Sequence, residues 1–162
     1  MRGSVIQWTK GMVIEMKIST KGRYALRMLT DLAENQGDGC VSLTEIAERQ
    51  GISKKYLEQI VPMLSKARLI RTIRGNRGGY RLNADPEKCT VGDVIRATEG
   101  SLAPVACLEF PENSCPRKEQ CSTLFVWEGY YKLTENYFNS ITIQDIINRN
   151  LETAQKNAGS GI

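Results

Sequence analysis

The 162-residue chain contains no histidine, and this absence excludes several kinds of functional site. Zinc sites with histidine ligands, Ser-His-Asp triads and Cys-His pairs all need an imidazole. The sequence also lacks an apolar run of about eighteen residues, the length that crosses a bilayer, and its N-terminal segment lacks the pattern of a secretory signal. We therefore expect a cytoplasmic protein that is not an enzyme.

Cysteine is scarce, and three of the five cysteines lie in the stretch CLEFPENSCPRKEQC. An odd number cannot pair fully within one chain, and cytosolic thiols stay reduced, so we do not expect a disulfide framework. Cys107, Cys115 and Cys121 share a proline-containing segment with little apolar filling, which suits soft metals or an iron-sulfur cluster. A structural zinc site and a thiol redox switch are the other interpretations. Cys40 and Cys89 lie apart and are predicted to be packing residues.

Positive charge is concentrated in one segment of the chain. Between Arg49 and Arg81 there are nine basic residues and a single acidic one, Glu58, although the whole chain has a net charge of only +4. A local excess of arginine and lysine is the electrostatic footprint of nucleic-acid binding. The rest of the composition, 41% hydrophobic and 25% charged, is typical of a globular protein.

Capping residues divide the first half of the chain into three predicted helices. An amphipathic helix follows Ser19, and SLTEIAERQG has Ser42 and Glu45 at the spacing of a capping box. Gly51 is suited to a left-handed helix end, and Ser53 then caps the helix in SKKYLEQIVPMLSKARL. Two short helices joined by a glycine turn predict a helix-turn-helix.

The second helix of this motif has an apolar face and a polar face. Leu57, Ile60, Val61 and Leu64 are predicted to face inward, which leaves the lysines at its start exposed. Pro62 is discordant, because a proline inside a helix removes a hydrogen bond and usually bends the helix.

The stretch LIRTIRGNRGGYRLN predicts a hairpin, with strands at 69–73 and 80–82 and a turn at 75–79. Its glycines and arginines resemble a phosphate-binding loop, but the lysine and serine of that motif are missing and no helix follows. A basic wing is the better interpretation. TVGDVIRATEG then predicts a short capped helix that Gly100 closes.

After the cysteines, a longer helix is predicted from an apolar face, followed by one more short helix in TIQDIINRN. Such a terminal helix serves either dimerisation or packing within one chain. The apolar face consists of Leu124, Trp127, Tyr131 and Phe138.

These patterns predict five regions and a mainly helical fold with a small β-hairpin wing. They are an N-terminal extension or tag remnant (1–15), a winged helix-turn-helix domain (16–100), a cysteine-containing cluster loop (101–123), a dimerisation helix region (124–150) and a disordered tail (151–162).

The order of these motifs resembles the Rrf2 family of winged-helix regulators, over about residues 16–148. YLEQI at 56–60 and RGNRGGY at 74–80 are the most specific parts of the resemblance. The resemblance implies a homodimer that binds palindromic double-stranded DNA, with the recognition helix in the major groove and the wing against the backbone or minor groove.

The residues at the matching positions have side chains suited to these roles. Glutamine pairs with adenine, lysine contacts guanine or phosphate, and arginine reaches phosphates or a narrow minor groove. For Tyr56, simple packing of the ring is a strong alternative. The candidate DNA-binding residues are Ser53, Lys54, Lys55, Tyr56 and Gln59 on the helix, and Arg74, Asn76 and Arg77 on the wing.

Members of the family differ in whether they hold a metal cofactor. IscR-like and NsrR-like members bind an iron-sulfur cluster through three cysteines, whereas CymR-like members lack these ligands. The resemblance therefore implies Cys107, Cys115 and Cys121 as ligands of a 2Fe-2S or 4Fe-4S cluster. It also implies a regulator, in this case a repressor, of cluster-assembly, iron, sulfur or redox-stress genes. The alternative is a cluster-free, CymR-like regulator of sulfur or cysteine metabolism that acts with a partner protein.

The fourth cluster ligand is not evident from the sequence. IscR-like members use a histidine three residues after the last cysteine, and this chain has Leu124 there. The remaining candidates are Glu109, Glu112, Glu119, the hydroxyl of Thr123, a residue of the partner subunit, or an exogenous ligand. A small electron-transfer protein is a third interpretation, but it leaves the basic helix-turn-helix unexplained.

Overall fold

The computed structural model describes residues 18–159, so the expected extension at 1–15 lies outside it. Six helices and one two-stranded antiparallel sheet follow one another along these residues, with two short 3-10 turns in the cysteine segment. The elements are α1 (Thr20–Asn35), α2 (Leu43–Gln50), α3 (Lys54–Lys66), β1 (Ile70–Ile73), β2 (Gly79–Leu82), α4 (Val91–Glu99), the turns Ala106–Leu108 and Lys118–Gln120, α5 (Leu124–Asn139) and α6 (Ile143–Gly159).

The predicted caps define the helix-turn-helix. Ser19 accepts hydrogen bonds from the backbone at the start of α1. The Ser42 hydroxyl accepts from the Glu45 N–H at 3.3 Å, and the Glu45 carboxylate accepts from the Ser42 N–H at 2.8 Å. Gly51 has φ of 61°, a left-handed conformation that costs glycine little, so α2 ends there and α3 begins directly after it.

Helix α3 continues through Pro62 because its apolar face is anchored in the core. Leu57, Ile60 and Leu64 are fully buried, and each such side chain contributes about 1.5–3 kcal/mol by leaving water. Pro62 is exposed, and so is Glu58, whose carbonyl loses its helical partner. Water can satisfy that carbonyl, so the proline is tolerated.

The predicted wing is present. Strands β1 and β2 pair with Ile70 opposite Leu82 and Ile73 opposite Gly79, so the first strand begins one residue later, and the second one residue earlier, than predicted. Gly75 has φ of 126°, and a side chain on Gly78 would come within 2.5 Å of the Ile73 carbonyl oxygen, so this turn requires glycine.

The C-terminal elements pack on α4 and α1. A small second core forms around Val91, Ile95 and Leu102, and Tyr131 and Phe138 of α5 lie against it. None of the helices in the described residues is long and apolar enough to cross a membrane.

The length of the last helix, α6, corrects the prediction of a disordered tail. Helix α6 runs to Gly159, whereas we expected a disordered tail from residue 151. Residues 151–156 are exposed, but they include no glycine or proline and consist mostly of good helix formers, so the helix has no reason to stop before Gly159. Residues 160–162 lie outside the described part.

Candidate DNA interface and cysteine segment

The start of α3 presents the predicted reading residues to solvent. Lys54, Lys55 and Gln59 are exposed, while the inward face of the same helix is buried. The Ser53 hydroxyl accepts a hydrogen bond from the Tyr56 N–H at 3.2 Å, so this side chain also fixes where the helix begins. The N-terminal end of the helix is therefore free to enter a groove of DNA.

Tyr56 has a packing role. Its ring is half-buried and meets the ring of Tyr24 on α1 edge to face, with 5.3 Å between the centroids. The guanidinium of Arg27 lies 5.5 Å from the centre of the Tyr24 ring. Aromatic pairs of this geometry contribute about 0.5–1.5 kcal/mol beyond their burial, so Tyr56 holds the recognition helix against α1.

The recognition helix and the wing border one open groove of about 480 Å³. Lys54 and Glu58 line it from α3, and Arg74 and Asn76 line it from the wing. Arg77 is exposed at the same turn, and its carbonyl oxygen accepts a hydrogen bond from the Cys40 thiol at 3.2 Å. Of the predicted residues, Lys54, Arg74 and Asn76 thus line one groove, and the structure adds Glu58, which sequence reasoning had counted only as a charge.

Two of the nine arginines and lysines in the basic segment, Arg49 and Arg81, form hydrogen bonds within the fold. Arg49 donates to both carboxylate oxygens of the buried Asp31, at 2.6 and 3.0 Å, and this partner raises the pKa of the guanidinium. Gln50 donates to the same carboxylate at 3.0 Å. Arg81 donates to the carbonyls of Asp38 and Gly39. Sequence reasoning missed Asp31, although an aspartate on the apolar face of α1 was a usable signal.

The three clustered cysteines are free thiols, and each is half-buried. Cys107 lies in the first 3-10 turn, the N–H of Cys115 donates to the Asn113 side chain at 2.9 Å, and Cys121 follows the second 3-10 turn. Within residues 18–159, no three side chains of Cys, Asp or Glu are grouped closely enough to hold a metal ion. Thiolates are suitable cluster ligands, but this arrangement does not bring the three together, so their role as ligands stays a prediction.

The Cys121 thiol has a lower pKa than an ordinary cysteine. Its sulfur lies 3.6 Å from the Thr123 hydroxyl, and hydrogen bonding from that side chain and backbone lowers the pKa of the thiol. Proximity to Arg117 acts in the same direction. A lower pKa means more thiolate near neutral pH, which favours metal binding and oxidation alike.

The two remaining cysteines differ from each other. Cys89 lies in the main core, where burial raises the pKa of its thiol to about 11, so it stays protonated and acts as a packing residue. Cys40 is half-buried beside the wing rather than in the core.

Helix α5 presents an apolar face that nothing in the described chain covers. It has no buried residue, although it is rich in aromatic and aliphatic side chains. Val126, Tyr130, Leu133 and Tyr137 recur at the spacing of a coiled-coil seam, with exposures of 45%, 46%, 71% and 63%. Large exposed apolar patches mark interaction surfaces.

A family model described as Rrf2, iron-dependent transcriptional regulator, matches residues 18–149. The chain belongs to the Rrf2 family. Its relatives in that family include Protein rrf2 of Nitratidesulfovibrio vulgaris, which is 42% identical over 144 residues, or 88% of this chain and 94% of that protein.

Two solved structures connect this Rrf2 chain with different branches of the family. One is CymR (YrzC), the global cysteine regulator of B. subtilis, with 38% identity, a TM-score of 0.66 and coverage of 82% of this chain and 97% of that one. The other is the T. potens IscR, with 40% identity, a TM-score of 0.65 and coverage of 86% and 90%. The predicted family and fold class are confirmed, and the Rrf2 chain is a DNA-binding transcriptional regulator.

Proposed function

We propose that this Rrf2 regulator binds palindromic DNA as a homodimer, and that its DNA binding responds to an iron-sulfur cluster held by Cys107, Cys115 and Cys121. The observation that supports the proposal best is the position of three free, half-buried thiols in a mostly non-helical segment between α4 and α5. That segment joins the winged domain to the helix with the exposed apolar face. A change in its conformation can therefore affect both.

The α5 face supports the homodimer. Four apolar side chains at seam spacing are exposed on one side of the helix, while Tyr131 and Phe138 pack inward on another side. A second copy of the same helix would cover this face with side chains of the same kind, as two-fold interfaces do. The two recognition helices would then be presented together, which a palindromic site requires.

The roles of the DNA-binding residues follow from their exposure. Gln59 can accept from and donate to the edge of an adenine, while Lys54 and Lys55 supply charge for guanine or phosphate. Arg74, Asn76 and Arg77 extend from the glycine turn of the wing toward the backbone or minor groove. Ser53 and Tyr56 fix the start and the tilt of the recognition helix.

Polar contacts through α4 link α5, the helix that follows the cysteine segment, to the DNA-binding domain. At the end of α4, Glu99 accepts a hydrogen bond of 2.7 Å from Ser19, the cap of α1. Three residues earlier on α4, Arg96 donates to Asn139 of α5 at 2.8 Å and to Asp93 at 3.0 Å. Helix α4 thus contacts both α1, the first helix of the DNA-binding domain, and α5. A coupling of about 1–3 kcal/mol would change DNA affinity 5- to 150-fold.

Anaerobic purification tests the cofactor. The proposal predicts a coloured protein that contains iron and acid-labile sulfide, and loses both when the three cysteines are changed to alanine. The matched control changes Cys40 and Cys89 to alanine and is expected to keep the cluster. If the anaerobically purified or reconstituted protein contains no iron, and the three substitutions leave DNA binding unchanged, the sensor proposal is wrong.

A cluster-free regulator that acts with a partner protein is the second candidate. It is supported by the separation of the three thiols in the described residues and by the similarity to B. subtilis CymR. A partner of sulfur or cysteine metabolism would then supply the signal. Retention of a stoichiometric partner by the iron-free protein, with a change in operator affinity when that partner is added, would support this candidate instead.

A further inference from the structure

The outer face of the wing contains two arginines that the groove does not use. In the β1–β2 register, Ile70 and Leu82 are buried, and Thr72 and Tyr80 lie on the same inner face. Because side chains alternate along a strand, the paired residues Arg71 and Arg81 lie on the opposite face. Neither of them lines the groove between the wing and α3.

These two positive charges are directly opposite each other. Cross-strand neighbours have Cβ atoms about 4.5–5.5 Å apart, and like charges at such positions repel. The Arg81 guanidinium is held by the carbonyls of Asp38 and Gly39, which are neutral acceptors and leave its charge uncompensated. Arg71 is exposed, and neither arginine forms an ion pair within residues 18–159. An anionic ligand would remove the repulsion.

We propose that the outer face of the wing is a second phosphate-binding surface, in which Arg71 contacts the DNA backbone beside a pre-positioned Arg81. This inference rests on the proposed placement of the wing against DNA. The two arginines are only three and seven residues from the wing-tip Arg74, so they extend the same basic surface around the hairpin. The anionic ligand is DNA, because the proposed function already places its backbone against the wing. The wing then contacts the backbone on both of its faces, rather than through its tip alone.

Backbone contacts of this kind have a measurable signature. Each phosphate that a protein neutralises releases counterions, so the slope of log affinity against log salt changes by about 0.9 per contact. A contact to one phosphate also disappears when that phosphate is replaced by a neutral methylphosphonate. Together, the change in salt slope and the loss at a methylphosphonate identify which arginine contacts which phosphate. Neither measurement requires the base contacts to be known.

The experiment compares the full-length wild-type protein with Arg71→Ser, Arg71→Lys and a matched control, Arg149→Ser. Arg149 is an exposed arginine on α6, outside the basic segment, so its loss removes the same charge elsewhere. The probe is a duplex that the wild-type protein selects from a random pool, with flanks of about 10 base pairs on each side. Affinity is measured over a range of salt and for duplexes with single methylphosphonate substitutions.

We expect Arg71→Ser to weaken binding roughly tenfold and to reduce the salt slope by about one, whereas Arg71→Lys largely keeps the slope and Arg149→Ser behaves as wild type. At one or two phosphates, substitution should weaken the wild-type protein but not Arg71→Ser. If Arg71→Ser keeps the wild-type slope and phosphate pattern, this inference is wrong although DNA binding stands. If no variant, including the wild type, selects or binds a duplex at low salt, the proposed function fails with it.

Discussion

Helices α3 and α5 both carry an apolar face, but within residues 18–159 only the face of α3 is covered. Leu57, Ile60 and Leu64 of α3 are fully buried, whereas Leu133 of α5 is 71% exposed. The buried polar side chains of the DNA-binding half, such as Asp31 with Arg49, also have partners within the described residues. Within the described residues, the DNA-binding half is therefore finished, whereas the α5 face is uncovered and the three thiols are not grouped for ligation.

The strongest test of the finished half is the ion pair between the buried Asp31 and the partly exposed Arg49. Asp31 is 1% exposed and accepts from Arg49 and Gln50, so Asp31→Ala leaves both donors without this acceptor. Removing one partner of a buried pair costs about 3–5 kcal/mol, and we expect about 3 because the Arg49 side chain reaches solvent. Denaturant unfolding measures the change.

The matched control for that substitution is Glu34→Ala on the same helix. Glu34 is exposed, and within the described residues its carboxylate accepts a single hydrogen bond, from the Asn150 side chain at 3.3 Å. Its removal should therefore change the free energy of unfolding by less than about 0.5 kcal/mol. Equal losses for Asp31→Ala and Glu34→Ala would show that the buried network does not stabilise the helix-turn-helix.

The unfinished half is tested at the centre of the α5 seam. Leu133→Glu places a charge where the proposed homodimer would bury a leucine, and we expect dimerisation to weaken roughly 100-fold or more. Sedimentation or light scattering measures the oligomeric state, and operator binding should weaken with it. Lys132→Glu introduces the same side chain one residue earlier, away from the seam, and should leave the dimer intact. A wild-type protein that is monomeric at all accessible concentrations would overturn the proposal.

Much of the finished half was predictable because local signals specify it. Ser42, Ser53 and Thr90 cap helices by contacts within three residues, and Gly51 and Gly75 adopt the backbone that their turns need. Such signals depend on the adjacent sequence alone. The order of the helices, the wing, and the exposure of the predicted DNA-contacting residues followed from them.

The remaining features depend on contacts between distant parts of the chain. Asp31 reaches Arg49, and Arg81 reaches the Asp38 carbonyl, by tertiary packing that charge counting cannot show. The spacing of Cys107, Cys115 and Cys121 indicated shared ligation, but backbone turns between them decide whether the thiols meet. Sequence proximity over fifteen residues does not determine that geometry.

A smaller effect on DNA binding is expected at Gln59, the residue of the recognition helix that we propose contacts a base. Gln59→Ala removes a side chain that is exposed on the recognition helix and that makes no side-chain hydrogen bond within residues 18–159. We expect it to lose about 1–3 kcal/mol of discrimination at one base pair while stability and non-specific binding stay unchanged. Lys54→Ala is the comparison, since a phosphate contact weakens all duplexes alike and lowers the salt slope. Competition with single-base operator variants distinguishes the two, and a uniform loss for Gln59→Ala would contradict base reading.

The smallest expected effect lies in the cysteine segment, at the hydrogen bond between Cys121 and Thr123. Thr123→Val removes the hydroxyl that is the main cause of the lowered pKa of this thiol. The pKa should move up toward its ordinary value, so less thiolate is present near neutral pH and alkylation of Cys121 by iodoacetamide becomes several-fold slower. Peptide mass spectrometry of the metal-free protein over a pH series measures the rate of alkylation at each cysteine.

Ser122→Ala is the matched control for Thr123→Val, because that exposed hydroxyl has no bond to the thiol. A pH profile that moves equally in both variants, or in neither, would mean that Thr123 does not activate Cys121.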